Sequence, residues 1–357
     1  MIYFLFLLLG CIAFSVYDKQ NLRNTYIVSV FYLSPFVALW IFIVGGQLNV
    51  GTDYETYLRI FMEKNAIAFY SERYEYVFSS LVSFFQSLGF YGQFYFFLFA
   101  TITVLIYIQI SRRLTNSHYA LFFFLFVTVS TLFHNQMNGL RQCIAVYFVT
   151  LSIIEFVYNR KLFAFILLLL AVGFHISAFG ILLLFFFVKN VSFSPRLAVL
   201  GILVVSLCSF GNFDRVIVEV VANIPRYSHY IDSEYFEGGV NSLNKFTKLI
   251  YMPIYLCSVS LLSRHKLSGI ELQLFQLGLL SYFIRTLSVV SSITNRFGFY
   301  FYVLSLLPIF YYLREIRKNR FLLFICICAY ILFIYLLKVI VFPVGEYTYS
   351  SVFSNYF

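Results

Sequence analysis

The sequence predicts an all-α, polytopic integral membrane protein, and two observations support this prediction. Hydrophobic residues make up 61% of the 357 residues, charged residues make up 11%, and the mean hydropathy is +0.86. Several apolar runs also approach the roughly 20 residues that a helix needs to cross about 30 Å of hydrocarbon. One soluble core cannot bury so much apolar surface. We therefore expect about 11–12 transmembrane helices in a single transmembrane domain spanning residues 1–357.

The expected membrane segments follow the apolar runs in order. The first run has no basic residue before it and no small-residue cleavage pattern, so we expect a retained helix and not a signal peptide. The stretch "YEYVFSSLVSFFQSLGF" (74–90) is apolar but short, which favours an interfacial or re-entrant helix. The runs lie at 2–17, 26–46, 92–110, 119–133, 139–158, 162–188, 197–211, 249–262, 270–287, 297–313 and 321–342.

Basic residues predict the orientation, because Lys and Arg collect in short cytoplasmic loops. Alternate short loops hold basic residues, such as Arg112 with Arg113 and Arg160 with Lys161. The two long loops, 47–75 and 212–248, are acidic or balanced, so we expect them outside the cytoplasm. The net charge of +10 then belongs to a cytoplasmic rim that contacts anionic membrane lipids, and it does not call for nucleic acid as a partner.

This alternation requires residues 162–188 to enter and leave the membrane on the same side. We expect two short helices that meet near "VGFHISAFG" (172–180), with His175 at the tip. One tilted span is the alternative, and it would place the loop between Lys189 and Arg196 outside.

Ionisable residues at membrane depth or in outer loops are costly and therefore indicate candidate sites. In "GTDYETY" (51–57), Asp53 and Glu55 lie two residues apart among tyrosines. This pattern suits a general base, a sugar-binding loop or a divalent cation at Asp53 and Glu55. An ordinary acidic loop is the alternative. The cysteines show no Cys-x-x-Cys pair and no Cys/His cluster at metal-ligand spacing. No cofactor is expected.

A second candidate lies in "NQMNGLRQCIAVYF" (135–148), where Asn138, Arg141 and Gln142 stand at the entry of an apolar helix. The planar guanidinium of arginine suits phosphate oxygens, and a helix N-terminus adds free N–H groups, so this turn is suited to an anion such as a diphosphate. An arginine that only anchors the helix at the interface is the alternative reading.

Two further candidates are His175 with Ser177, and Arg285 with Arg296. A neutral histidine can accept a proton near neutral pH, although it can equally be a buried residue satisfied by a neighbouring helix. The two arginines stand near the outer ends of consecutive helices, where they could form a basic pocket with Arg141 or reach toward lipid headgroups.

Five short motifs now combine along nearly the whole chain. They are G-x-D-x-x-x-Y (51–57), Glu75 in "YEYVFSSL", "NGLRQCIA" (138–145), "FHISA" (174–178) and "NRFGFYF" (295–301). In this order they resemble the EpsG family of bacterial exopolysaccharide polymerases, which are related in role to Wzy polymerases. The family often has an arginine before the aspartate, where this chain has Thr52.

The resemblance implies a glycosyltransferase that joins polyprenyl-diphosphate-linked oligosaccharide repeat units at the outer face of the bacterial cytoplasmic membrane. It implies a bundle similar to the GT-C membrane glycosyltransferases, working beside flippase and chain-length regulator proteins. Asp53 or His175 would take the acceptor proton. The substrate-binding residues would be Asn138, Arg141, Gln142, Arg285, Arg296, Tyr57 and Glu75.

Two other functions use the same residues. A lipid-linked oligosaccharide flippase would need the arginines but no base. Transporters commonly contain repeats with corresponding broken helices, whereas this sequence has one candidate broken region without a counterpart, which favours the polymerase. An O-antigen-ligase-like transferase, which moves a finished chain to a different acceptor, stays open.

Overall fold

The structure is a computed structural model, and it describes residues 2–20, 25–63, 70, 72–115, 117–181, 191–209, 249–267, 269–288, 292–343 and 345–354. Within these ranges the chain is helical, and the β pairing is an isolated antiparallel bridge between Gln47 and Ser351. The all-α prediction is therefore confirmed. The expected outer loop 212–248 lies outside the described residues.

The α-helices are numbered here in chain order. They are α1 (Ile2–Lys19), α2 (Tyr26–Tyr32), α3 (Ser34–Gly45), α4 (Tyr54–Met62), α5 (Tyr76–Ser87), α6 (Phe94–Thr115), α7 (Tyr119–Leu125), α8 (Leu132–Asn135), α9 (Leu140–Val157), α10 (Lys161–Phe174), α11 (Pro195–Cys208), α12 (Met252–Ser258), α13 (Ser260–Ser263), α14 (Gly269–Leu287), α15 (Ser292–Gly298), α16 (Leu307–Asn319) and α17 (Phe321–Leu336).

Four helical segments are long and apolar enough to cross a membrane, which confirms the polytopic class. They are Ile2–Lys19, Phe94–Thr115, Leu140–Val157 and Phe321–Val341. Two bent pairs raise the number to six among the described residues if each pair is one span. Four other apolar runs form helices of 10–17 residues, so the described part of the chain contains fewer full spans than the sequence suggested.

Several expected spans are interrupted. The run 26–46 divides into α2 and α3, which meet at 72°, because Pro35 lacks the N–H that a continuous helix would use. The run 119–133 ends in a π-helical turn, and Thr131 then adopts a left-handed conformation with φ 64°. The segment α5 is a 12-residue helix, in agreement with the expectation that 74–90 does not span.

The described chain falls into two compact units, residues 1–186 with 322–357, and residues 187–321. The single transmembrane domain expected from the sequence stays a prediction. In the first unit, an aromatic core surrounds the fully buried Trp40, whose ring stacks with Tyr107 and Phe126 at centroid distances of 5.3 and 6.0 Å. The large aromatic content of the sequence therefore fills the space between helices.

One end of the first unit is basic. Arg113, in the last turn of α6, bonds to the buried Glu155 of α9 at 2.7 Å, and Arg160 lies 3.7 Å from the same carboxylate. The Asp18 carboxylate at the end of α1 accepts hydrogen bonds from the Tyr119 and Ala120 N–H groups. The basic loops 112–113 and 160–161 thus lie at one end of this unit, as the orientation prediction requires.

The helix α10 ends at Phe174, and His175 takes an extended conformation (φ −154°, ψ 116°) before a 3-10 helix from Ile176 to Ile181. The predicted break at His175 is confirmed. Residues 182–190, which would form the rest of the second arm of the hairpin, lie outside the described residues, so the reversal itself stays a prediction.

The second unit packs α14 against α11 and α16. At Gly278 a Cβ would lie 2.5 Å from the Pro308 ring, so glycine allows α14 to approach α16 closely. Arg314 forms two hydrogen bonds with Glu271 at 2.6 and 2.9 Å, and Lys266 lies 3.2 Å from Glu315. The basic loops 264–266 and 314–320 therefore lie together at one end of this unit.

Candidate functional site

The loop that carries Asp53 docks on the entry of α9 through Asn138. The Asn138 Oδ1 atom accepts hydrogen bonds from the backbone N–H groups of Thr52 and Asp53, both at 2.9 Å. Gly51 permits this approach, since its φ is +76° and a Cβ there would lie 2.6 Å from the Asn138 side chain. Two candidate motifs, 51–57 and 138–145, thus meet in the first unit.

Arg141 lies one turn beyond Asn138 and is enclosed by aromatic rings and one carboxylate. Its guanidinium forms an ion pair with Glu75 and lies 4.0 Å from the ring centroid of Tyr70. Its Nε donates to the Tyr57 hydroxyl at 3.4 Å, and Phe78 lies on the same guanidinium at 5.4 Å. The arginine is 15% exposed and Glu75 4%, so this is a largely desolvated pair.

The Glu75 carboxylate also reaches the break after α10, where it accepts a hydrogen bond from the Ile176 N–H. Burial raises the pKa of the Glu75 carboxyl, while Arg141 and this N–H oppose the rise by stabilising the carboxylate. Burial also raises the pKa of Tyr57, which favours its neutral phenol as a hydrogen-bond acceptor for Arg141. Glu75 therefore joins the α9 entry to the segment that contains His175.

His175 is half-buried, and its Nδ1 lies 2.7 Å from the Ser177 hydroxyl. Asp53 is half-buried too, and Thr52 donates its hydroxyl to the Asp53 carboxylate at 3.2 Å. Gln142, in contrast, is 7% exposed inside the unit. In the first unit, Asn138 therefore contacts the Asp53 segment, while Arg141, one turn further along α9, contacts Tyr57 and Glu75. Glu75 in turn contacts the backbone N–H of Ile176, beside His175.

Arg285 and Arg296 belong to the second unit. Arg285 is 6% exposed, donates to the Ser305 hydroxyl at 3.1 Å and lies 4.5 Å from the Tyr302 ring centroid. The Tyr302 hydroxyl donates to Asn295, the neighbour of the exposed Arg296, at 3.5 Å. Tyr302 thereby connects the two arginine segments. A single pocket that combines them with Arg141 stays a prediction.

Three residues at the site were not predicted from the sequence. Tyr70 and Phe78 pack on Arg141, and Glu346 accepts a hydrogen bond from Asn138 Nδ2 at 2.9 Å. The sequence held a signal for Glu346, because it is the only acidic residue after Glu315. Among the described residues, no group of three His, Cys, Asp or Glu side chains could hold a metal ion. The cation suggested at Asp53 and Glu55 stays a prediction.

Fold and site together define a multi-pass helical membrane protein with a buried arginine–carboxylate pair beside a half-buried aspartate. The chain belongs to the EpsG family, whose sequence profile matches residues 29–354. This match agrees with the motif resemblance and covers nearly the whole chain. No curated protein and no solved structure matches the chain. Family membership indicates a role in exopolysaccharide biosynthesis in the membrane.

Proposed function

We propose that the protein is a polysaccharide polymerase that joins polyprenyl-diphosphate-linked oligosaccharide repeat units at the outer face of the bacterial cytoplasmic membrane. The observation that carries the proposal is that the entry of α9 contacts the Asp53 segment at two points. Asn138 accepts a hydrogen bond from the Asp53 N–H, and Arg141 donates to the hydroxyl of Tyr57, one turn after Asp53. A transferase of this kind needs a proton acceptor for the incoming hydroxyl and a cation for the departing diphosphate. Asp53 and Arg141 supply these two groups within one region of the first unit.

In the proposed transfer, the bond between the anomeric carbon of the donor and the diphosphate oxygen breaks, and the diphosphate leaves with the electron pair. A hydroxyl oxygen of the acceptor repeat unit forms the new bond to that carbon. Asp53 or His175 takes the hydroxyl proton, and the guanidinium of Arg141 stabilises the leaving charge.

The Glu75 ion pair has a defined part in this proposal. An arginine that binds a diphosphate must offer N–H groups in a fixed direction, and a flexible side chain loses binding free energy when it is immobilised. Glu75 and the ring of Tyr70 hold the guanidinium before the donor arrives. Preorganisation of this kind favours the transition state, because no reorganisation is needed when charge develops.

Purified protein in lipid nanodiscs, supplied with the polyprenyl-diphosphate-linked repeat unit of its own organism, tests the proposal. We expect products longer than one repeat unit together with released polyprenyl diphosphate. Cells that lack the gene should still make single lipid-linked repeat units but no polymer. Movement of the intact donor across a vesicle bilayer without product formation would instead identify a flippase. Transfer of finished chains to a different acceptor would identify a ligase.

A further inference from the structure

Residues 345–354 form a strap that lies across the loop before α4. The strap is held by backbone hydrogen bonds, from Leu48 N–H to Ser350 O at 3.0 Å and from Val352 N–H to Gly46 O at 2.9 Å. The Tyr349 hydroxyl also donates to Ile43 O at 3.0 Å. These contacts place Glu346 at a fixed position beside Asn138.

Both ends of the Asn138 side-chain amide form hydrogen bonds with protein groups. Its oxygen accepts from two backbone N–H groups, Thr52 and Asp53, and its Nδ2 donates to Glu346 Oε1 at 2.9 Å. A rotated amide would set its NH₂ against two donors and its oxygen against a carboxylate, and both ends would then repel. Glu346 and the two N–H groups therefore favour the same orientation of the Asn138 amide.

In this orientation of the Asn138 amide, the Asp53 carboxylate is available as a proton acceptor. Asp53 is the residue before α4, but its side chain makes no capping hydrogen bond to that helix. The N–H groups of Thr52 and Asp53 are instead satisfied by Asn138. The carboxylate is half-buried and accepts from the Thr52 hydroxyl at 3.2 Å, so its direction depends on how the backbone of the two residues is held.

We propose that Glu346 is a positioning residue that orients the Asp53 carboxylate through Asn138. The proposal rests on the proposed function, because it takes Asp53 as the proton acceptor for the incoming sugar hydroxyl. Glu346 itself does not contact the reacting atoms. It acts as a hydrogen-bond acceptor for Asn138, and a neutral acceptor of the same shape can replace it.

Four variants in the nanodisc polymerase assay test this proposal: Glu346→Ala, Glu346→Gln, Asn138→Ala and the double variant Glu346→Ala with Asn138→Ala. Loss of a hydrogen bond to a charged group should lower kcat of Glu346→Ala by about 10- to 100-fold, with KM for the donor changed by less than about threefold. Glu346→Gln should keep kcat within about threefold, since glutamine Oε1 also accepts from Asn138. The kcat of the double variant should match that of Asn138→Ala, because both substitutions break the same hydrogen-bonded connection from Glu346 through Asn138 to Asp53.

Tyr349→Phe is the matched control, since it removes one hydrogen bond of the strap without touching Asn138. Its kcat should stay near that of the wild type. A fall as large as that of Glu346→Ala would mean that strap docking alone matters. Glu346→Gln as inactive as Glu346→Ala, or losses that add in the double variant, would also overturn the proposal.

Hydrogen exchange provides a readout that needs no activity. The amides of Thr52 and Asp53 should exchange faster in Glu346→Ala than in the wild type or in Glu346→Gln, because their acceptor is no longer held. Unchanged exchange in Glu346→Ala overturns the positioning role even if the protein polymerises sugar. Wild-type protein that makes no polymer would refute the proposed function. The exchange experiment would still test whether Glu346 positions Asp53 through Asn138.

Discussion

Replacement of Glu75 by glutamine keeps the shape of the side chain and removes the charge that faces Arg141. Removing one partner of a buried ion pair typically costs about 3–5 kcal/mol, because the other charge stays buried without compensation. Arg141 keeps 15% exposure and the ring of Tyr70 at 4.0 Å, and a cation–π contact is worth about 0.5–2 kcal/mol. A cost of about 1–4.5 kcal/mol remains, which corresponds to about 5- to 2,000-fold in rate if it acts on the position of Arg141.

Single-turnover transfer from the lipid-linked donor, measured per folded molecule in nanodiscs, is the assay. Glu155→Gln is the matched control, since the Glu155 side chain is 0% exposed and pairs with Arg113 at 2.7 Å at the basic end. Both variants should unfold at lower temperature than the wild type, but Glu155→Gln should keep transfer within about threefold per folded molecule. Equal loss of transfer in the two variants, after correction for folded protein, would reduce the Glu75 pair to a structural contact.

Three other predictions follow from the site and the orientation. Arg141→Lys should fail to restore polymer despite normal membrane abundance, because an ammonium cannot contact Tyr57 and Glu75 and also present a planar fork to the diphosphate; full activity of the lysine variant would make Arg141 an anchor. If Asp53 is the base, Asp53→Asn should bind donor normally while single-turnover transfer falls about 10²- to 10⁴-fold, and His175→Ala should mainly lower stability. The reverse pattern would assign the base to His175. Near-normal transfer by both variants would show that neither residue is the base. In a cysteine-free background, cysteines at Thr52 and Asn241 should react with an impermeant thiol reagent from outside, and one at Asn190 should not; labelling at 190 would contradict the hairpin at His175.

The long spans were predictable because apolar runs such as 94–110 and 321–342 contain no glycine or proline. The helix interruptions differ in whether the sequence indicates them. Pro35 marks the break between α2 and α3 in the sequence itself, whereas the left-handed Thr131 after α7 carries no local signal. A non-glycine residue takes the left-handed conformation only when the surrounding packing holds it there, and a single sequence does not predict that packing.

At the candidate site, the sequence identified most of the polar residues but not their pairing. Glu75 and Arg141 were assigned separately to the substrate, yet they bind each other across 66 positions of the chain. Asn138 was expected to bind substrate, while in the structure both ends of its amide contact protein groups. Such pairings depend on how α4, α5 and α9 dock, and a pattern of residue types does not fix that docking.

Under the proposed role of Glu346, the strap would also set the earliest point in synthesis at which the protein can become active. Tyr349 bonds to Ile43, which lies 306 positions earlier in the chain. At about 5–20 residues per second, the ribosome adds the later residue roughly 15–60 s after the earlier one. Until then, Asn138 lacks its acceptor Glu346, although α1 to α9 are already made. If Glu346 orients Asp53 as proposed, a nascent chain arrested before this point would hold the aspartate but not the strap that orients it, and premature transfer by half-inserted protein would be avoided.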